Sequence, residues 1–337
     1  MPSDRYPPID LTRVRTYSIA QRPHKMGVGE LAALPSAGAS AAELLQAMPN
    51  LLGVREFRAV VEAVVQARRH DRPVVLAMGA HVIKVGCSPV VIDLIRRGVL
   101  QAVAGNGATA IHDVELATLG ATSEEVAETL QDGSFGMVRE TFEFFAAAGA
   151  LAANENLGLG EAVGRLLVER RAPHLQHSIL AAGYQAGIPV TIHVALGTDT
   201  VHMSAAADGA QLGQASLRDF RTLCSVVADL GAKNDSAVGG VWLNVGSAVV
   251  MPEVFLKAVA VARNLGVDLD RMTTANFDML RHYRPHVNVV TRPVAPGRGH
   301  EVIGHHEILL PLLRQALLEA LSPQSTQRPR RKTENGK

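Results

Sequence analysis

Two segments carry residue types that let a backbone approach a phosphate. GNGATAIHD (105–113) places Gly105, Asn106 and Gly107 directly before an apolar run of helical character. Glycines admit close contact with a ligand, and the first N–H groups of a following helix point at an anion. The third glycine of the G-x-G-x-x-G fingerprint is missing, so a plain tight turn between strand and helix is the alternative. GSAVVMPE (246–253) repeats the arrangement with Gly246 and Ser247. Two such turns in one chain favour a dinucleotide over a single phosphate.

Acids and imidazoles gather at similar places. Asp199, in ALGTDTVHM (195–203), and Asp278, in TANFD (274–278), are placed to bind ribose hydroxyls or a cationic amine. Capping of their own loops is the alternative for each. Among 13 histidines, His81, His112, His193, His202, His305 and His306 fall near such segments. Imidazole titrates near neutrality and can act as acid or base. His81, His112, Glu253 and His305 are the candidates for acid–base or amine-binding roles. No H-E-x-x-H spacing occurs, and the adjacent His305, His306 and Glu307 diverge on a helix, so no metal is expected. Cys87 opens a helix in GCSP, where its pKa could fall. Without a histidine and carboxylate at recognisable spacing, it reads as a small loop residue.

Alternating elements must hold these residues. VREFRAVVEAVVQARR (54–69) has Phe57, Val60, Val61, Val64 and Val65 at helical spacing. PVVLAM (73–78) is a short, wholly apolar run, as a buried parallel strand should be. PVVIDLIRRG (89–98) has the proline-first, glycine-last punctuation of a helix, and QAVAG (101–105) reads as a strand. Helices are expected from about Ala110 and over TSEEVAETL (122–130), the latter with a capping pattern from Ser123. Then come a helix over 174–187, a strand over 188–194, a helix over 216–231, a strand over 241–245 and a helix over 252–266. RMTTA (271–275) and HVNVV (286–290) are further strand candidates, and 305–321 closes the chain as a helix. The pattern predicts an α/β fold: a Rossmann-like, doubly wound, mainly parallel sheet with helices on both faces. Ligands of such sheets bind outside the carboxyl ends of the strands, and the segments above follow those ends.

Residues 1–50 read as an irregular leader broken by Pro7, Pro8, Pro23 and Pro35, with a helical segment at about 40–48, wrapping the body or a neighbouring subunit. Residues 51–321 form the main domain, and 322–337 a disordered tail holding the basic run RPRRK (328–332). A net charge of +1 and 19% charged residues give no field toward nucleic acid or a membrane. No signal-peptide pattern and no membrane span are visible, and Cys87 and Cys224 make no disulfide framework. A cytoplasmic location follows as the expectation.

Taken together, GAHVIKVGCSPVVIDLIRRG (79–98), GNGATAIHDVELA (105–117), DGSFGM (132–137), ALGTDTVHM and LNVGSAVVMPEVFLKAVAVARNLG (243–266) resemble the deoxyhypusine synthase family, nearest its bacterial deoxyhypusine-synthase-like branch. The resemblance covers roughly residues 50–320. It implies a homotetramer with NAD and polyamine sites at subunit interfaces. That enzyme oxidises spermidine with NAD, holds the aminobutyl group on a lysine and passes it to a lysine of a translation factor. By resemblance, Gly105, Asn106, Gly107, Asp113, Asp199, Gly246, Ser247, Thr274, Ala275 and Asp278 match the family's cofactor-binding positions or the acid just beyond them.

The nucleophilic lysine departs from the pattern: residues 279–307 contain Arg281, Arg284, Arg292 and Arg298 but no lysine. An arginine stays protonated and cannot replace it. MPEVF (251–255) stands where the family has a histidine-rich segment, and His202 lies near the place of a substrate acid. The reading is therefore an NAD-dependent enzyme acting on a polyamine or other small amine by hydride removal and aminoalkyl transfer, without a lysine imine. A true deoxyhypusine synthase using Lys84, with Lys257 second, and a non-catalytic NAD-binding scaffold are the alternatives.

Overall fold

A computed structural model describes residues 6–231 and 237–322. The expected disordered tail, its basic run, and Lys233, Lys332 and Lys337 lie outside the described residues, apart from Ser322.

Six short strands form one sheet: β1 (Val74–Met78), β2 (Ala102–Asn106), β3 (Val190–His193), β4 (Val241–Val245), β5 (Thr273–Asp278) and β6 (Gly299–Ile303). Their order is β3-β2-β1-β4-β5-β6, and every pairing is parallel. This is the doubly wound order, so the expected fold class is the observed one. Strands β1 and β4 are buried along their whole length; this explains the uninterrupted apolar sequence of β1, while β4 carries one polar residue, Asn244.

The helices are α1 (Ala41–Ala47), α2 (Leu52–Arg69), α3 (His81–Lys84), α4 (Ser88–Arg96), α5 (Gly107–Leu119), α6 (Val126–Asp132), α7 (Arg139–Glu155), α8 (Leu159–Glu169), α9 (Ile179–Gln185), α10 (Gly209–Asp229), α11 (Val250–Asn264), α12 (Tyr283–Pro285) and α13 (His306–Leu321). Leu76, Met78, Val103, Leu243, Val245 and Phe277 face a core completed by α2, α4, α5, α7, α8, α9 and α13. Val75, Ala77, Ala104 and Trp242 face the other way, onto α10 and α11. There Trp242 stacks on Phe255 with ring centroids 4.1 Å apart. Among the described residues no helix is long and apolar enough to cross a membrane.

Several expectations are corrected. Residues 286–290 are not a strand: His286–Thr291 form a π-helical continuation of α12. Their alternating valines pack beneath β5, where the Thr274 hydroxyl donates to the Val289 carbonyl at 2.6 Å. The next strand is instead β6, whose GHEVI sequence has mixed polarity. The expected capping start at Ser123 also fails. Ser123 has φ +71°, and α6 begins only after Glu125 with no side-chain cap. The 174–187 segment divides into a 3₁₀ turn (Leu175–His177) and α9. Helices α7 and α8, small-residue-rich and unassigned from sequence, fill residues 139–169. The leader makes short 3₁₀ turns, and its apolar side chains, Ile9, Val28 and Leu34 among them, stand in solvent.

Candidate functional site

The chain leaves β1 toward β2 and leaves β4 toward β5, so connections diverge between these neighbouring strands and open a crevice at their carboxyl ends. Gly79 and Gly246 line it. The parallel ladder runs one residue past each strand, with Gly79 N donating to Val245 O and Gly246 N to Phe277 O, both at 3.0 Å. A Cβ on Gly79 would lie 2.1 Å from the Gly246 carbonyl oxygen, so no side chain fits there. Gly246 has φ +62°, which glycine adopts without strain. A side chain on it would meet the His306 ring at 3.0 Å.

His306 is buried, and its Nε2 donates to the Phe277 carbonyl at 3.2 Å. A carbonyl only accepts, so the proton is on Nε2 and the buried Nδ1 has no partner among the described residues. The His81 ring stands edge-on to it, centroids 5.6 Å apart. Burial first, then His306 and Lys84, hold the His81 pKa below the ordinary imidazole value.

Beside the crevice lies a cavity of about 660 Å³, within the size range of small-molecule sites. Helix α3 joins the two: His81 faces His306, and Lys84, one turn on, lines the cavity. His112 and Glu115 of α5, Glu124, Glu140 and Asp199 also line it. Four carboxylates against one lysine make it a place for a cation. Asp199 is almost enclosed; burial raises its pKa, opposed by His202 and by the Ala108 N–H that it accepts. His202 uses Nδ1 to accept from Gly197 N and Asp199 N, leaving Nε2 3.9 Å from the Asp199 carboxylate.

The cofactor positions taken from sequence separate into two groups. Gly246 and Ser247 are at the crevice, the Ser247 hydroxyl accepting from Met251 N at 3.2 Å. Gly107 is at the cavity's edge, where a Cβ would lie 1.9 Å from Asp199 Oδ2. Asn106 caps α5 by accepting from Thr109 N at 2.9 Å. With Asp199 on Ala108 N as well, the positive end of α5 already holds a carboxylate. At β1 and β4 the two backbones pack directly against each other, whereas Asp199 borders the cavity and can accept from hydroxyls.

The remaining positions stay inside the protein. Gly105 packs under Thr109 and Ile192. Asp113 is fully enclosed and caps α9, accepting from Ser178 Oγ, Ile179 N and Leu180 N. Thr274 and Ala275 are mid-strand and completely buried. Asp278 is buried at the end of β5 and accepts from Met279 N.

The four acid–base candidates do not converge. His112 is in the cavity and His81 at the crevice. Glu253, in the first turn of α11, is taken up by Lys257 and Asn288 Nδ2, both of which donate to it. His305 is an exposed residue preceding α13. Cys87 is buried, which pushes its thiol pKa up and suits a packing role. No group of three or more potential metal ligands is assembled among the described residues.

Sequence reading missed Gly79, Thr122 and a polar row on the α11 face: Asn244, Asn276 and Glu301 stand in register across β4, β5 and β6. Asn244 Nδ2 donates to Asn276 Oδ1 at 2.7 Å. One further polar atom of each has no partner among the described residues. The period-two spacing of Asn244 after Trp242 and of Asn276 after Thr274 was the available signal.

No family model and no curated protein matches the chain. Solved structures do. The AgrE complex with ornithine and NAD+ superposes with TM-score 0.50 at 17% identity, over 80% of this chain and 34% of that one. ArgZ, an arginine dihydrolase of cyanobacteria, gives 0.48 at 16%, over 79% and 32%. A chain provisionally described as a deoxyhypusine synthase from Entamoeba histolytica gives 0.48 at 10%, over 85% and 95%. The present chain thus spans about a third of AgrE and ArgZ. The AgrE likeness is one of fold.

Proposed function

We propose that the chain is an NAD-dependent enzyme that oxidises a small cationic amine, such as a polyamine, and passes on its aminoalkyl group. The observation that carries this reading is an acid-lined cavity beside the carboxyl ends of the strands, near the sheet's switch point. Gly79, Gly246 and Ser247 would hold the cofactor's diphosphate, and Asp199 its ribose hydroxyls. AgrE, solved with ornithine and NAD+, is a fold-level parallel for an amine and a dinucleotide in one protein.

When bound, nicotinamide accepts a hydride from the carbon next to the amine nitrogen. The chain's own residues bind the ammonium through Glu124 and Glu140 of the cavity lining, and a base in the cavity removes a proton from it beforehand. The reading includes a homotetramer with sites at subunit interfaces, for which the solvent-facing apolar leader is a ready contact.

Lys84 lines the same cavity, and that favours a second reading, a true deoxyhypusine synthase with a relocated nucleophile. Borohydride trapping with NAD and spermidine separates them. The first reading expects amine-dependent NADH formation with no adduct, the second an aminobutyl group on Lys84.

A further inference from the structure

We propose that His112 is the proton acceptor of the cavity, fixed by a Thr122–Glu115 relay with its own proton on Nδ1 and its Nε2 lone pair toward the ligand. The inference rests on the amine-oxidation reading for its substrate class, but the proton arrangement follows from the geometry alone.

The His112 Nδ1 and the Thr122 hydroxyl are 2.7 Å apart, and that hydroxyl donates to Glu115 Oε2 at 2.6 Å. Thr122 has one hydroxyl proton, and an ionised carboxylate can only accept. The proton is therefore spent on Glu115, and Thr122 can only accept from His112. Nδ1 must carry the hydrogen. Glu115 is held in turn by the Thr141 hydroxyl, which donates to Oε1 at 3.3 Å. No described residue pairs with Nε2, and the ring lines the cavity.

The charged groups around the cavity are Lys84 on α3, Glu115 on α5, Glu124 before α6, Glu140 on α7 and Asp199 after β3. Burial, reinforced by Lys84 and opposed by Glu115, keeps the His112 pKa below the ordinary value, so the ring is neutral near pH 7. An ammonium held by the carboxylates must shed a proton before its carbon can release hydride. An N–H bond of the substrate breaks, an Nε2–H bond forms, and the amine keeps the electron pair. The resulting imidazolium is stabilised by the same relay. Thr122 and Glu115 are positioning residues, and His112 touches the substrate.

The relay is tested on the full chain without knowledge of the substrate. Diethylpyrocarbonate acylates an unprotonated imidazole nitrogen, and peptide mass spectrometry locates the adduct. Wild type, Thr122→Ser and Thr122→Val are compared, Thr122→Ser being the variant that keeps the hydroxyl. Wild type and Thr122→Ser should give a single Nε2 adduct on His112 at similar rates. Thr122→Val should react several-fold more slowly and give mixed Nδ1 and Nε2 products. Protection of His112 in wild type, or the same rate and product mixture in all three proteins, would overturn the assignment. In parallel, spermidine-dependent NAD reduction should lose kcat in Thr122→Val with the KM for NAD unchanged. Absence of any amine-dependent reduction in wild type sinks the oxidation reading, while the adduct pattern still decides the role of His112.

Discussion

A Cβ on Gly79 would lie 2.1 Å from the carbonyl oxygen of Gly246, so the two strand exits meet backbone to backbone at the middle of the sheet. Gly79→Ala must push them apart. Overpacking of this kind costs about 1–3 kcal/mol. A melting temperature several degrees lower is expected, together with weaker NAD binding. A variant with wild-type stability and affinity would show that the crevice widens freely.

Two enclosed carboxylates make stability depend on pH. Burial pushes Asp219 up to about 7, against the Ile192, Gly160 and Leu159 N–H groups that favour its charge. Burial likewise pushes Asp113 up to about 6, against Ser178, Ile179 and Leu180. Unfolding returns both to the ordinary carboxylate range, so between about pH 4 and pH 7 the native state binds more protons than the unfolded state. Their contribution is present at the acid end of that window and is lost as pH rises through the folded values, at about 1.4 kcal/mol per pH unit for each titrating group. Urea midpoints should be higher near pH 5 than near pH 8. Asp219→Asn, which cannot titrate, should flatten the difference.

How much of this was legible in sequence varies by element. The apolar runs of β1, β2, β3 and β4 marked themselves because both sheet faces are covered. HVNVV (286–290) misled because its alternation suits a strand, yet the Thr274 hydroxyl and the pocket under β5 fix it as a helix. In β6, buried Glu301 broke the apolar signal. For the candidate site, strand-exit reasoning named Gly246, His81, His112 and Asp199, which the fold places at the carboxyl ends of the strands or in the cavity beside them. It could not find Thr122, ten residues from His112 and joined to it only by the turn after α5. Glu115 follows His112 by three residues, a helical neighbour spacing that could have been read. Asp113 was a cofactor candidate through the family resemblance. Its enclosure beneath α9 is a tertiary fact.

Lys84 should stay unmodified in the trapping experiment. It is solvent-exposed at the rim of the cavity, whereas lysines that form imines with substrates are held in enclosed pockets. Peptide mapping after borohydride reduction with NAD and spermidine should find no aminobutyl group on it. Such an adduct would move the chemistry to a lysine intermediate.

The leader predicts assembly. Tyr6, Ile9, Leu11, Val14, Tyr17 and Ile19 are exposed on a segment of short turns, an apolar surface of the kind that pairs with another subunit. Light scattering should give a mass near four chains. Removing residues 1–35 should lower it. A monomer at micromolar concentration would contradict the shared-site arrangement.

The central claim is that the Gly79–Gly246 crevice and Asp199 receive NAD, and calorimetric titration of NAD and NADH into wild type and Asp199→Asn tests it most directly. Wild type should bind at least one of the two, and Asp199→Asn should bind about tenfold more weakly, the equivalent of losing about 1.4 kcal/mol of hydrogen bonding to a charged group. No heat of binding for either nucleotide at millimolar concentration, in a wild-type protein that melts cooperatively, would contradict the account.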